Sequence, residues 1–271
     1  MPELPEVETT RRGLAPHLVG HRFTHICVRE PRLRWPVPPD LAQQLTGRPV
    51  HALTRRGKYL LIHASPGIAL LHLGMSGSLR LVPQDTPAGP HDHVDLALDS
   101  GKVLRLHDPR RFGSLHWFEA AGPTHPLLAR LGPEPLEPGF DGAYLHRVSR
   151  GRRSSIKALI MNAQVVAGIG NIYATEALFL AGIRPRRAAG RITRIEAERL
   201  AAALRQVLEA ALEQGGTTLR DFLREDGRPG YFAQSLRVYG RADRPCPVCQ
   251  SPIRRVSQQG RSSYYCPHCQ R

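Results

Sequence analysis

Short apolar runs, separated by glycine, proline and aspartate, dominate the first 120 residues of the chain. The runs are leucine-rich or β-branched and only a few residues long, which is typical of β-strands. "LDSGKV" at 98–103 has the composition of a tight turn between two strands. Together they predict a β-sandwich or barrel. The predicted strands lie in 22–30, 59–64, 68–75, 77–82, 93–108 and 113–119.

The periodicity becomes helical after "LGPEPLEPGFDG" at 131–142, a Pro- and Gly-rich stretch that we interpret as an interdomain linker. Helices are predicted over 2–18, 154–163 and 171–183, and Asn171 is the expected N-cap of the last. The helix predicted over 193–212 begins with a capping box of Thr193 and Glu196. Its expected apolar face consists of Leu200, Leu204, Val207, Leu208, Ala211 and Leu212.

These boundaries predict an N-terminal domain over 1–130, a linker over 131–142, a helical domain over 143–237 and a small C-terminal module over 238–271. No apolar run is long enough to span a membrane, and no signal peptide opens the chain, so we expect a cytoplasmic protein. A monomer is the default expectation.

The net charge of +15 favours a polyanionic partner, with nucleic acid ahead of an anionic membrane surface. Lysine occurs only at Lys58, Lys102 and Lys157, and every other fixed positive charge is arginine. GC-rich coding would explain this bias. A lysine in such a chain still invites inspection, because lysine can lose its proton and arginine cannot.

Four cysteines have the spacing C-x2-C-x16-C-x2-C, which is typical of a structural zinc site. Four thiolates would close the coordination sphere of one Zn²⁺ and leave no position for catalysis. The residues between the pairs predict a hairpin with Gly260 and Arg261 at its tip. A hairpin this short needs the metal for stability. The cysteines are Cys246, Cys249, Cys266 and Cys269, and Cys27 is expected to be a buried strand residue.

Two further patterns suggest contact with a nucleic acid, either DNA or RNA. Gly168 and Gly170 precede a predicted helix, where free amides and the helix dipole favour a phosphate, although a structural turn would look the same. Met75 and Phe112 lie in "HLGMSGSLR" and "HDPRRFG", where large apolar side chains stand beside glycines and arginines. Such side chains are often core residues, but they can also fill the gap that a flipped nucleotide leaves.

These motifs together resemble bacterial formamidopyrimidine-DNA glycosylase, in the family's order from residue 2 to 270. The resemblance rests on "MPELPEVETTRRGL", "RRGKYLLIH", "HLGMSGSLR", "HDHVDL", "DPRRFG", "LGPEPL", "GIGNIYATEALF", "QGGTTLRDF", "GYFAQSL" and the four cysteines. It implies an α+β multidomain protein: an N-terminal β-sandwich flanked by helices, then a C-terminal helix–two-turn–helix bundle with a four-cysteine zinc-finger hairpin.

The resemblance also implies a reaction on double-stranded DNA that contains oxidised purines or abasic sites. The enzyme would excise 8-oxoguanine and formamidopyrimidines and then cut the backbone by β,δ-elimination. Its nucleophile would be Pro2, exposed as an N-terminal secondary amine once Met1 is removed. An α-amino group titrates near ~8 and lysine near ~10.4, so roughly a quarter of the former and about a thousandth of the latter is neutral at pH 7.5.

The remaining roles follow from the same resemblance. Glu3 would transfer protons at the sugar, with Glu6 as a supporting carboxylate, while Lys58 and Arg261 would assist β- and δ-elimination. The expected DNA contacts are His91, Arg110, Lys157, Asn171 and Arg152, with Arg153 as an alternative to Arg152. Met75, Arg110 and Phe112 would fill the vacated stack, and "EDGRPGYFAQS" at 225–235 would cap the flipped base.

Two alternatives stay open at this point. An enzyme of the endonuclease VIII type would share the N-terminus, glycine turn and finger but act on oxidised pyrimidines. A zinc-finger DNA binder without catalysis would bind DNA in a salt-sensitive way and leave it uncut.

Overall fold

The computed structural model describes residues 2–216 and 235–271, and these form two compact units. Of the described residues, one unit comprises 2–129 and 214–216, and the other comprises 130–213 and 235–271. In the described part of the chain, no helix is long and apolar enough to cross a membrane.

The first unit is a β-sandwich of two four-stranded antiparallel sheets. The strands are β1 (Phe23–Val28), β2 (Ala52–Arg56), β3 (Tyr59–Ala64), β4 (Gly67–His72), β5 (Ser78–Pro83), β6 (Asp92–Leu98), β7 (Lys102–His107) and β8 (Ser114–Glu119). Their orders in the two sheets are β1-β6-β7-β5 and β2-β3-β4-β8. One contiguous apolar core lies between the sheets, supplied by alternate residues of strands such as β4 and β6.

Among the described residues of this unit, the helices beside the sheets are α1 (Leu4–Leu18), α2 (Leu41–Leu45) and α3 (Pro126–Ala129). Helix α1 packs against β2 and β3 and buries Leu4, Val7, Leu14 and Leu18. The predicted β-sandwich flanked by helices is confirmed. Cys27 was expected to be buried, but it pairs with Asp95 on β6 and is only partly buried.

The second unit contains α4 (Gly142–Ser149), α5 (Ile156–Ile160), α6 (Asn171–Leu180), a 3-10 turn (Ala189–Arg191) and α7 (Arg194–Glu213). Helix α7 packs against α4 and α6, and buries the predicted apolar face apart from Leu212. The predicted capping box is present: Thr193 N–H donates to Glu196 Oε2 over 2.8 Å, and Glu196 N–H donates to Thr193 Oγ1 over 3.2 Å. The N-cap of α6 is Gly170 and not Asn171, because Asn171 already has helical geometry.

The C-terminal hairpin consists of β9 (Arg254–Gln258) and β10 (Arg261–Tyr265). Its turn residues Gln259 and Gly260 both have positive φ, as a two-residue hairpin turn requires. The hairpin packs on α6 through a small core of Phe179, Val238, Cys246, Ile253 and Cys266. The predicted strand–turn–strand is therefore confirmed, but its turn lies one residue earlier than expected, so Arg261 is the first residue of β10 and pairs with Gln258.

Candidate functional site

The N-terminus of α1 is a buried, acidic helix start. Glu3 is the N-cap, and Glu3 and Glu6 are each 2% exposed. The Glu3 N–H donates to Glu6 Oε2 over 2.8 Å, so Glu6 fixes the backbone next to Pro2. Gly216 has a φ of +85°, and a Cβ there would lie 3.1 Å from Glu6 Oε1. The backbone after α7 therefore passes directly along Glu6 in the same unit.

Lys58 follows Gly57 in the turn between β2 and β3, the two strands on which α1 packs. Arg55 connects these elements: its Nε donates to Glu8 Oε2 over 3.3 Å and an Nη to Gly57 O over 2.9 Å. Burial raises the pKa of Glu8, but the hydrogen bonds and charges of Arg11, Arg12 and Arg55 outweigh it and lower the pKa overall. The carboxylate of Glu8 thus stays ionised and anchors α1 to β2.

The two apolar side chains singled out in the sequence are exposed on loops of the first unit. Met75 is 38% and Phe112 is 41% exposed. The guanidinium of Arg110 lies over the Phe112 ring, 4.7 Å from its centroid, where the cation–π attraction holds the two side chains together. Exposed large apolar side chains next to an arginine suit insertion into a base stack.

His91 lies on the loop before β6 and is exposed. Its ring meets that of His107 edge-on, with 5.9 Å between centroids. The Nδ1 of His107 lies 2.8 Å from Asp92 Oδ1, so this neighbour is itself held in place.

In the second unit, Asn171 and Lys157 meet at the zinc-finger hairpin. The Asn171 amide donates to Ser262 O over 3.1 Å and lies 3.4 Å from the Tyr239 hydroxyl. The Lys157 ammonium is buried and donates to the same Ser262 O over 3.2 Å and to Ser263 Oγ over 2.7 Å. Both side chains therefore hold the residue that follows Arg261. Arg152 is exposed on the loop after α4.

The four cysteines of the hairpin module form one cluster. Their sulfur atoms all lie within 4.8 Å of one another, with 3.9 Å between Cys246 and Cys269 and 3.4 Å between Cys249 and Cys266. A tetrahedral zinc with bonds of about 2.3 Å separates its sulfurs by about 3.8 Å. Amides of Val248 and Cys269 point at sulfurs, as thiolates favour. The cluster fits one structural zinc ion.

Sequence reasoning missed several residues that shape these sites. Glu176 on α6 accepts hydrogen bonds from the successive amides of Arg237, Val238 and Tyr239, over 2.7–3.0 Å, and so fixes the entry into the finger. Asp108 lies in "DPRRFG", but an aspartate before proline is typical of an ordinary turn. Neither carboxylate belongs to a periodic pattern that could have singled it out.

A DNA-binding protein with a β-sandwich, a helix–two-turn–helix bundle and a zinc-finger hairpin is the class that this fold and these sites define. Three family profiles match the chain in that order: the formamidopyrimidine-DNA glycosylase N-terminal domain over 1–115, its H2TH domain over 131–223, and a zinc finger found in FPG and IleRS over 244–271.

Individual relatives agree with the profiles. The chain is 63% identical to a formamidopyrimidine-DNA glycosylase of Thioalkalivibrio sulfidiphilus over the whole of both proteins. It is similar to the crystal structure of the MutM (Fpg) protein from Thermus thermophilus, with a TM-score of 0.89 and 41% identity, covering 99% and 98% of the two chains. It is also similar to MutM in complex with DNA containing carbocyclic 8-oxo-G, with a TM-score of 0.92 and 32% identity over both complete chains. The chain belongs to the formamidopyrimidine-DNA glycosylase family.

Proposed function

We propose that the protein is a bifunctional DNA glycosylase and AP lyase of base-excision repair, which removes 8-oxoguanine and formamidopyrimidines from double-stranded DNA. The arrangement of residues at the N-terminus is the main support for this function. Pro2 stands directly before the buried carboxylates of Glu3 and Glu6 at the start of α1, in a chain that matches the family over its whole length.

Removal of Met1 makes Pro2 a secondary amine at the positive end of the α1 dipole, which favours the neutral form. Its lone pair attacks C1′ of the damaged nucleotide, and the base leaves with the electrons of the glycosidic bond. The proton of the amine is lost, and Glu3, supported by Glu6, protonates O4′ of the sugar, so that the C1′–O4′ bond breaks and the ring opens. The product is an iminium, which keeps its positive charge because the amine is secondary.

The iminium withdraws electrons from the sugar, so loss of a proton from C2′ expels the 3′ phosphate, and a second elimination expels the 5′ phosphate. We assign proton transfer in the first elimination to Lys58 and assistance to the second to Arg261. The anchored turn before Lys58 supports the first assignment, and the hydrogen bonds from Lys157 and Asn171 to Ser262 O, next to Arg261, support the second.

DNA is held by residues of both units in this proposal. His91, Arg110, Arg152 and Asn171 contact the backbone, and Lys157 remains a predicted phosphate contact although its ammonium binds the hairpin. Met75, Arg110 and Phe112 fill the space that the extruded nucleotide leaves. The capping role of 225–235 falls on residues outside the described part of the chain, apart from Ser235.

Borohydride trapping tests the nucleophile. Reducing the reaction of the mature protein with an 8-oxoguanine:C duplex should leave DNA attached to Pro2, as peptide mass spectrometry would show. An adduct confined to lysine would contradict the proposal. The strand products should carry phosphates at both ends of a one-nucleotide gap. A faster reaction on thymine glycol than on 8-oxoguanine would instead indicate an enzyme of the endonuclease VIII type.

A matched control is a protein that retains one residue before Pro2. The nitrogen of Pro2 is then an amide and cannot attack, so base excision should be abolished. Binding to an abasic-site analogue should stay within about threefold, since no charged contact of the DNA-binding surface changes. Equal loss of binding and excision would show that the extension disturbs the fold.

A further inference from the structure

The carboxylate of Asp108 is fully buried between two loops that are predicted to open DNA. Its Oδ1 accepts a hydrogen bond from Ser76 Oγ over 2.9 Å and from Arg110 N–H over 3.3 Å. Its Oδ2 accepts from Gly113 N–H over 2.7 Å. A buried carboxylate is costly unless such donors surround it. The loops after β4 and β7 therefore share one anionic anchor.

The backbone of Asp108 forms hydrogen bonds to a third segment, the one that carries His91 and His93. Its N–H donates to His91 O over 3.0 Å, and its carbonyl oxygen lies 2.8 Å from Nε2 of His93. The turn that carries Met75, the loop that carries His91, and the loop of Arg110 and Phe112 thus converge on one residue.

Close glycine contacts leave these loops little room to move separately. Gly74 has a φ of +67°, and a Cβ there would collide with the backbone of Phe112. A Cβ on Gly113 would lie 3.0 Å from Asp108 Oδ2 and from His72 O. The two loops are therefore packed backbone against backbone, and the carboxylate lies inside that contact.

We propose that Asp108 is a positioning residue that holds Met75, His91, Arg110 and Phe112 as one preformed surface for opening the duplex. The inference rests on the proposed function. Inserting side chains into a base stack consumes free energy, and loops that are already ordered do not add their own ordering cost to it. Asp108 contacts neither DNA nor the reacting atoms in this role.

The substitution Asp108→Asn tests this positioning role, because asparagine has nearly the same side-chain shape as aspartate. One acceptor oxygen becomes an NH2 donor, which must face at least one of the donors Ser76 Oγ, Arg110 N–H or Gly113 N–H. Excision of 8-oxoguanine from a duplex should fall at least about tenfold, which corresponds to about 1.4 kcal/mol. Cleavage of a single-stranded abasic oligonucleotide should fall less than about threefold, because that substrate has no duplex stack to open.

The unstacking step can be followed directly. Stopped-flow fluorescence of 2-aminopurine next to the lesion should show unstacking slowed by the same factor as excision in Asp108→Asn. Ser76→Ala removes only the link to the Met75 turn and should give a smaller loss of duplex activity in the same direction. If Asp108→Asn does not fold, the rates of Ser76→Ala on the two substrates still test whether Asp108 positions the Met75 turn.

The control is Asp95→Asn, which changes a buried carboxylate on β6 that accepts hydrogen bonds from Arg105 and Arg29 and from none of the three segments. It should lower the unfolding temperature and leave the ratio of duplex to single-strand rates unchanged. The positioning role would be overturned if Asp108→Asn lost the same factor in rate on the duplex and the single-stranded substrate. It would also be overturned if Asp95→Asn changed the ratio of the two rates as much as Asp108→Asn does. A wild-type protein inactive on the lesion duplex would overturn the proposed function instead, and unstacking would still report on Asp108.

Discussion

His72 is held as a neutral imidazole beneath the turn that carries Met75. Its Nδ1 accepts a hydrogen bond from Gly74 N–H over 3.0 Å, which requires that nitrogen to be unprotonated. Burial lowers the pKa of His72 to about 4, assisted by the positive charges of Lys58, Arg34 and His116. This side chain therefore links the stability of the first unit to pH.

We predict that His72 makes the folded protein sensitive to mild acid. The unfolded chain binds a proton at this residue below its ordinary pKa of about 6.5, whereas the folded chain binds it only near pH 4, so stability falls as pH decreases through this window. The contribution between pH 7 and pH 5 should be about 1–2 kcal/mol.

Urea unfolding at pH 7 and pH 5 checks this for the wild type and His72→Gln. The glutamine cannot titrate, so the variant should lose less stability over the same pH range. The zinc cluster is identical in both proteins, and its own acid sensitivity cancels in the difference. Equal losses in both would contradict the assignment to His72.

Helix α1 and strand β2 are held together by Glu8 and its arginines. Arg55 is 13% exposed and binds both Glu8 and Gly57 O, whereas Arg12 is 58% exposed and binds only the other oxygen of Glu8. The carboxylate of Glu8 thus binds a largely buried arginine, Arg55, which orders the turn before Lys58, and an exposed arginine, Arg12, on the surface of α1.

We expect Arg55→Lys to cost about 1–2 kcal/mol, since a lysine cannot reproduce the fork that reaches both acceptors, and Arg12→Lys to cost under about 0.5 kcal/mol. Abasic-site cleavage by Arg55→Lys should also fall several-fold, because the turn before Lys58 loses its anchor. Thermal unfolding and single-turnover lyase assays measure both effects. Comparable results for the two arginines would show that burial is not what distinguishes them.

Gly216 offers a second test of the packing around α1. Gly216→Ala and Gly20→Ala both place a Cβ at strongly positive φ, of +85° and +87°, so each should lose about 1 kcal/mol or more of stability. Only the first brings the new Cβ against Glu6, since Gly20 has open space around it. Excision should therefore fall in Gly216→Ala alone. Similar excision rates in both variants would contradict a role for this close approach.

The sequence predicts the elements whose periodicity is regular and misses the others. Strand β4 is almost entirely apolar, β6 ends in the apolar run 96–98, and α7 has a regular amphipathic face with its cap. Strand β2 escapes prediction because "ALTRR" buries only Leu53 and exposes or half-exposes its polar residues. Helix α4 follows the Pro- and Gly-rich stretch so closely that its N-cap, Asp141, lies inside the predicted linker.

The sites divide in the same way. Cysteine spacing predicts the zinc cluster from sequence alone, because coordination imposes fixed intervals along the chain. Contacts between distant segments have no fixed spacing in the sequence. Asp108 forms a hydrogen bond with Ser76, 32 residues earlier, and Lys157 forms one with Ser263, 106 residues later. Such pairings depend on the complete fold.

In the proposed mechanism, the zinc site determines whether Arg261 near the turn of the hairpin can take part in DNA cleavage. Strands β9 and β10 form an isolated two-stranded sheet, which is marginal in water without further support. Hydrogen bonds from Ser251 lower the pKa of Cys249 to about 6, while burial and the neighbouring thiols raise the pKa of Cys269. Four adjacent thiols cannot all ionise alone, so zinc supplies the charge that holds the cluster together.

We predict that chelating zinc abolishes DNA incision and leaves the β-sandwich folded. The hairpin core around Cys246 and Cys266 would open, and the bonds from Lys157 and Asn171 to Ser262 would no longer place Arg261. Circular dichroism should change little, whereas strand cleavage should be lost and should return when Zn²⁺ is added. Cys27→Ser should leave zinc content and activity unchanged, because Cys27 lies on β1 in the other unit. Full cleavage by the metal-free protein would contradict this prediction. It would show that Arg261 is not needed for cleavage and that residues of the N-terminal unit suffice.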